Sequence, residues 1–232
     1  MIIQPIIKGE VAVSRAGRSY PKDIKERLVW LNDPWNFLYS CVFTKDQVSS
    51  TEPVKPAPTD RDYIKSTTRI WQQENLLAII KSRRLWMSWL FISLYLHDTI
   101  TGEERENFFV SKKEPDSDEL VRRARFICEN IPEEVWPRDL FPKWKYKENN
   151  LTFDEIGGRI RAIASGADQM RQFTASGILM DEVSFWPNGR ETLSAAKPTI
   201  EGGGRITLLS TASEQFGTVE PFYKKLIFDR MD

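Results

Sequence analysis

The chain has 232 residues, enough for one sizeable core, and its 33 basic residues balance 33 acidic ones. That neutrality excludes a global field drawing the protein to nucleic acid or an anionic membrane, so any DNA contact has to be local. Two cysteines, Cys41 and Cys128, and one histidine, His97, exclude a zinc cluster or a disulfide framework.

The N-terminal MIIQPIIKGE lacks the ordered basic, apolar and small-residue regions of an export signal. The longest apolar stretch, Leu85 to Leu96, is broken by Ser88 and Ser93. It falls short of the roughly 20 residues a membrane span needs, so a soluble intracellular protein is expected. Residues 1 to 50 mix short apolar runs with polar residues, and TEPVKPAPTD at 51 to 60 carries three prolines. Proline fits neither a helix interior nor a central strand, so residues 1–58 read as an arm with a Pro-rich connector and 59–232 as the active domain.

From residue 60 the pattern alternates strand with helix. Leu76 to Ile80 is a continuously apolar run ending in Lys81-Ser82-Arg83-Arg84, which predicts a buried parallel strand followed by a loop. A helix is expected from about Leu85 to His97, then a strand over Asn107 to Ser111. Ser117-Asp118 reads as the cap of an amphipathic helix with Leu120, Ala124, Ile127 and Cys128 on one face. Residues 131 to 150, including the basic and aromatic Arg138 to Lys147, read as an irregular surface excursion. Strands follow at Leu151 to Ile156 and Arg159 to Ala164, around a Gly157-Gly158 turn. Beyond them come a strand at Gly177 to Met180, a helix near Gly189 to Ala196 and a strand at Arg205 to Ser210. Buried strands joined by helical crossovers predict an α/β fold, a largely parallel sheet with helices on both faces.

A strand, a loop and a helix N-terminus make an anion site, because the first helical turn has free N–H groups and a partial positive charge. KSRRLWMS, residues 81–88, occupies that junction. The usual phosphate-loop pattern, Gly-x4-Gly-Lys-Ser/Thr, is absent, and no Gly-Lys dipeptide occurs in the chain. Ser88 nevertheless follows Lys81 by seven residues, the spacing from the first Gly to the Ser/Thr in that pattern. Ser88 can then place its hydroxyl on Mg²⁺ while Lys81 brings its ammonium to the phosphates from the other side of the loop. Trp86 stands where a glycine normally gives tight curvature.

Gly177 to Met180 is an apolar run ending in Asp181-Glu182, about ninety residues further on. In phosphate-loop enzymes an Asp here holds Mg²⁺ through its water shell and an adjacent Glu polarises the attacking water. Strand side chains alternate in direction, which allows the two acids different roles. Ile206 to Leu209 ends in Ser210-Thr211-Ala212-Ser213, hydroxyls suited to sensing a γ-phosphate at the carboxyl edge of the sheet. Taken singly, each piece has a blander reading. KSRR could be a solvated strand end, Asp181-Glu182 an acidic strand terminus, and Ser210 to Ser213 ordinary loop capping.

Together, KSRRLWMSW, GGRIRAIASGADQMRQFTASGILMDEVSFWPNG, AAKPTIEGGGRITLLSTAS and DPWNFLYSCVFTKD resemble the ATPase region of the large terminase subunits of tailed bacteriophages, over about residues 33 to 213. In that family the phosphate loop is often deviant, with a lysine at its start as at Lys81. The resemblance implies a three-layer P-loop NTPase of the ASCE/RecA-like type. It implies that Lys81, Ser82, Arg83, Arg84, Leu85, Trp86, Met87 and Ser88 surround ATP, with Ser88 and Asp181 on Mg²⁺ and Glu182 orienting water. Ser210, Thr211 and Ala212 would couple hydrolysis to movement. Arg171 lies where related terminases place an arginine that completes a neighbouring subunit's site; its plain alternative is a surface ion pair. The implied partners are double-stranded DNA, a portal protein, a small terminase subunit and further copies in a ring, in the cytoplasm of the infected bacterial host. Full terminases continue into a metal-dependent nuclease of RNase-H-like fold, whose acidic cluster residues 1–232 do not supply, so nuclease activity is not expected here. Two other readings share these residues: a helicase-like or repair ATPase, and a degenerate nucleotide-binding module serving only for docking.

Overall fold

The computed structural model describes residues 6–45, 54–211 and 222–228. In chain order they form β1 (Val11–Val13), β2 (Ser19–Pro21), α1 (Ile24–Leu31), α2 (Pro34–Cys41), β3 (Phe43–Lys45), β4 (Val54–Pro56) and α3 (Asp62–Gln73). Next come β5 (Leu76–Lys81), α4 (Met87–Thr101), β6 (Glu106–Ser111), α5 (Glu114–Glu129), β7 (Lys145–Lys147), β8 (Asn150–Phe153) and β9 (Gly158–Ala164). The last elements are α6 (Ala167–Met170), β10 (Gly177–Met180), α7 (Gly189–Ala196), β11 (Arg205–Thr211) and α8 (Phe222–Phe228).

Among the described residues the main sheet has seven strands in the order β5-β11-β10-β6-β9-β8-β7. The first five run parallel, while β8 and β7 add an antiparallel edge. β11 lies between β5 and β10, with Thr211 beside Lys81 and Leu208 beside Met180. Alternation along the strands divides the apolar residues into two layers. Phe109, Leu179 and Leu209 face the core built with α4 and α5, whereas Phe108, Ile178 and Leu208 face Trp186, Leu193 and Tyr223. Helices therefore cover both faces, as the alternating pattern predicts.

α4 is buried on nearly all sides, which is why its sequence carries little polar stripe. Residues 6–45 supply much of what covers it: Leu31, Trp35, Phe37 and Leu38 belong to the same apolar cluster as Leu90, Phe91 and Leu94. Pro34 opens α2, and Asp33 caps it by accepting a hydrogen bond from the Trp35 N–H at 2.8 Å. Apolar residues of the N-terminal arm, before the prolines near residue 56, thus share one core with α4.

Several boundaries differ from expectation, among them the end of β8 at Phe153 rather than Ile156 and that of α4 at Thr101 rather than His97. α4 begins at Met87 rather than Leu85, because Trp86 has φ 62°, outside the helical region. α5 begins at Glu114, with Pro115 in its first turn, so Ser117 lies inside the helix. There its hydroxyl accepts from the Ser111 N–H at 2.8 Å and donates to the Ile163 carbonyl at 2.7 Å, tying β6 to β9. The excursion after residue 131 contains β7, which pairs with β8.

Two features of the core carry measurable consequences. A Cβ on Gly177 would collide with Asn107 Oδ1 and the Tyr95 ring, both buried. Gly177→Ala is expected to destabilise the fold by about 1–3 kcal/mol through overpacking, read as a lower midpoint in denaturant unfolding. His97 is 5% exposed and its Nε2 lies 2.9 Å from the Leu31 carbonyl. Burial lowers its pKa, against the opposing effects of that carbonyl and of Asp98. The native state then binds fewer protons than the unfolded chain, so this stability contribution is intact above about pH 6.5 and declines below it, towards the depressed native value. Unfolding free energies measured from pH 8 to pH 5 should fall across that window, and His97→Gln should flatten the decline. Cys41 and Cys128 are both buried thiols.

Candidate active site

The parallel strands bring their carboxyl ends to one edge, and the predicted residues meet there. β5 delivers Lys81, β11 delivers Thr211, and the chain leaving β10 delivers Asp181 and Glu182. The Asp181 N–H still donates to the Val110 carbonyl at 2.9 Å, but Glu182 has φ 56° and turns the chain away. β10 itself ends at Met180, so strand pleating does not separate the two acids, and both carboxylates lie within 4 Å of the Lys81 ammonium.

Asp181, 7% exposed, accepts a hydrogen bond from the Ser88 hydroxyl at 2.9 Å. Glu182 accepts one from the Lys81 ammonium at 2.8 Å, and its other oxygen accepts from the Thr211 N–H at 3.2 Å and the Thr211 hydroxyl at 3.1 Å. Lys81 also lies 3.7 Å from Asp181. Burial raises the Asp181 pKa above the ordinary carboxylate value, with Lys81 acting against it. Burial also works to raise Glu182, but the Lys81 ammonium and the Thr211 donors outweigh it and hold Glu182 below its ordinary value. Ser210, at the end of the same strand, accepts from the Ser184 N–H at 3.0 Å, and its hydroxyl lies 3.5 Å from Glu182. Ala212 and Ser213 lie outside the described residues.

The loop between β5 and α4 contains two non-glycine residues in the left-handed region, Arg84 at φ 65° and Trp86 at φ 62°. Trp86 thus adopts the conformation a glycine would supply, at a backbone cost of order 1–3 kcal/mol, and its ring packs on the core beside α4. Its carbonyl accepts from the Leu90 N–H at 3.0 Å, the first bond of the helix. A cavity of about 630 Å³ opens over this loop. Lys81, Ser82, Arg84, Leu85, Trp86, Met87 and Ser88 line it, together with Lys45, Lys55, Arg61 and Arg123. Six cationic side chains thus line it, an environment suited to a polyphosphate. Arg83 is exposed and does not line the cavity.

Arg171 is exposed and pairs with Asp168 at 3.0 Å, beside a surface hollow shared with Ser194 and Pro198. It makes no recorded contact with the Lys81, Asp181 and Glu182 group among the described residues. Two supporting residues were not legible in the motifs. The Trp186 indole N–H donates to the Asp181 carbonyl at 3.1 Å, and the Tyr223 hydroxyl donates to the Ile79 carbonyl at 2.5 Å, with the Leu208 carbonyl 3.2 Å away, beneath the site. Both reach the acidic strand or its neighbour from the covering layer, a contact no local pattern announces.

The oxygens of Ser88 and Asp181 fit a magnesium ion bound together with phosphates and water. They are hard ligands 2.9 Å apart, and Ser88 also lines the cationic cavity. Among the described residues no cluster of three or more His, Cys, Asp or Glu could hold a metal by itself.

A largely parallel seven-stranded sheet covered by helices on both faces, with a loop between β5 and α4, acids after β10 and hydroxyls at the end of β11, places the chain in the α/β class of folds. No protein-family model matches the chain. Among solved structures the fold is shared with the bacteriophage HK97 large terminase, at a TM-score of 0.60 and 8% identity, over 82% of this chain and 39% of that one. The large terminase ATPase domain of Thermus phage P74-26 aligns with a TM-score of 0.45 and 14% identity, covering 60% of this chain and 59% of that one. The large terminase of a thermophilic bacteriophage, solved in complex with ADP, aligns at 0.45 with 15% identity, covering 60% of this chain and 34% of that one. The match therefore spans less than two thirds of each of these proteins, and at such identities the likeness is one of fold. No helix among the described residues is long and apolar enough to cross a membrane.

Proposed function

We propose that the chain is the ATPase motor domain of a viral large terminase, coupling Mg²⁺-dependent ATP hydrolysis to translocation of double-stranded DNA into a procapsid. The observation that carries this reading is the Lys81–Glu182–Thr211 arrangement beside the Ser88–Asp181 pair, on a fold shared with a phage large terminase. Lys81 and the loop amides bind the phosphates of ATP. Ser88 and Asp181 hold Mg²⁺, which when bound neutralises charge on the β- and γ-phosphates. Glu182, positioned by Thr211, orients a water molecule towards the γ-phosphorus and accepts its proton as the bond to the ADP oxygen breaks. Ser210, Thr211 and Ala212 relay the loss of the γ-phosphate to the rest of the chain. Arg171 leaves Asp168 and stabilises transition-state charge in a neighbouring copy, within a ring assembled on a portal protein and supplied with DNA by a small terminase subunit. The setting is the cytoplasm of an infected bacterium. DNA is gripped through its phosphates, without sequence preference and with strong salt dependence.

Phosphate release measured over a range of protein concentrations, with and without double-stranded DNA, tests this. Mg²⁺-dependent turnover should rise more than linearly with protein. Arg171→Ala should remove that rise, and mixing it with Glu182→Gln should restore part of the activity, because each supplies what the other lacks. A linear dependence that Arg171→Ala leaves unchanged sinks the role in trans. Turnover no higher than that of Glu182→Gln sinks the motor itself, and unwinding of duplex DNA would favour a helicase.

A further inference from the structure

We propose that Tyr63, polarised by Arg61, is a positioning residue that straps the phosphate loop into its strained shape; this rests on the nucleotide-binding reading above. Tyr63 lies in the first turn of α3, a helix outside the sheet and its motifs. Its hydroxyl donates to the Leu85 carbonyl at 3.0 Å and receives a hydrogen bond from the Arg61 guanidinium at 3.1 Å. Leu85 is the residue between Arg84 and Trp86, the two left-handed positions of the loop. In a planar trans peptide the C=O and the following N–H point in opposite directions, so holding the Leu85 carbonyl also sets the direction of the Trp86 N–H. A glycine-containing loop would hold this shape without assistance. Here two side-chain-bearing residues occupy it, and the surroundings have to keep them there.

Arg61 connects the strap to the ligand. Its guanidinium lines the loop cavity, and a donor to the phenol oxygen strengthens the phenol's own donation. An anion in the cavity and the strap therefore share one cation. Tyr63 acts through the loop backbone rather than on the reacting atoms, so its loss should fall on affinity more than on kcat.

Amide hydrogen exchange of residues 84–87 and ATP affinity, each measured for wild type, Tyr63→Phe, Trp86→Gly and the double variant, decide the matter. Removing one neutral hydrogen bond should speed exchange of these amides about fivefold in the nucleotide-free chain. The Kd for Mg-ATP should rise by a similar factor, with kcat changing less than Kd. In the Trp86→Gly background the same Tyr63→Phe change should have a much smaller effect, because glycine holds the left-handed conformation unaided. Unchanged exchange in Tyr63→Phe overturns the strap. So does an equal loss of affinity in both backgrounds, since the hydroxyl would then act elsewhere. If wild type binds no Mg-ATP, the nucleotide reading fails, and the exchange arm alone still decides whether Tyr63 holds the loop.

Discussion

Glu182→Gln is expected to lower ATP turnover by about 10²–10⁴-fold, the range typical of losing a positioned general base. The amide keeps an oxygen that can accept from Thr211, so the local geometry survives. What disappears is the negative charge that draws a proton from water and that pairs with Lys81 at 2.8 Å. With the pair broken, Lys81 is freer to meet phosphate, so the Kd for ATP should hold or fall slightly while kcat collapses. Steady-state phosphate release alongside equilibrium nucleotide binding separates the two quantities. Turnover within threefold of wild type would mean that the water is oriented by some other group.

Lys81→Ala should act on binding as well as rate. A hydrogen bond to a charged partner is worth roughly 1.5–3 kcal/mol, so losing the ammonium should raise the Kd for ATP by about 10–100-fold. The chain should also lose stability, because Asp181 and Glu182 then stand together without the cation that lies 3.7 and 2.8 Å from them. Lys81→Arg should rescue poorly: the Lys81 side chain is only 10% exposed, and a planar fork does not fit a site shaped for a compact ammonium. Isothermal binding with thermal unfolding on the same variants checks both parts. An unchanged Kd would move the phosphate contact to another of the cavity's cations.

The strands that carry the site were legible because each is a short, continuously apolar run ending abruptly in polar residues, as at Ile80-Lys81 and Met180-Asp181. Such runs announce a parallel strand whose carboxyl end shares an edge with its neighbours, but only β10 is buried throughout. β5 lies at the edge of the sheet with Leu76 and Ile80 exposed, a position its apolar run does not reveal. Legibility stopped where a local signal had two physical readings. Pro115 and Ser117 are both plausible helix starts, and only the tertiary bonds of Ser117 to Ser111 and Ile163 put that serine inside α5. The prolines near residue 56 mark a connector but not where the arm before it packs, and Trp35 and Phe37 of that arm join the core with α4. The left-handed backbone of Trp86 was hinted at by its place where the usual pattern has a glycine, but that of Glu182 was invisible for a different reason. Tertiary packing imposes it against local preference, which nothing in the neighbouring residues records.

The two thiols of this chain have a practical consequence. Cys41 and Cys128 are fully or nearly fully enclosed, in α2 and α5. Burial pushes the Cys41 thiol up to about 12, despite the neighbouring Ser40 hydroxyl, and pushes Cys128 up as well. Neither offers an accessible thiolate near neutral pH. The natural sequence therefore serves as its own silent background for site-specific chemistry. A cysteine introduced on the exposed surface would be the preferred target of a maleimide dye, with no need to strip the native pair from the core.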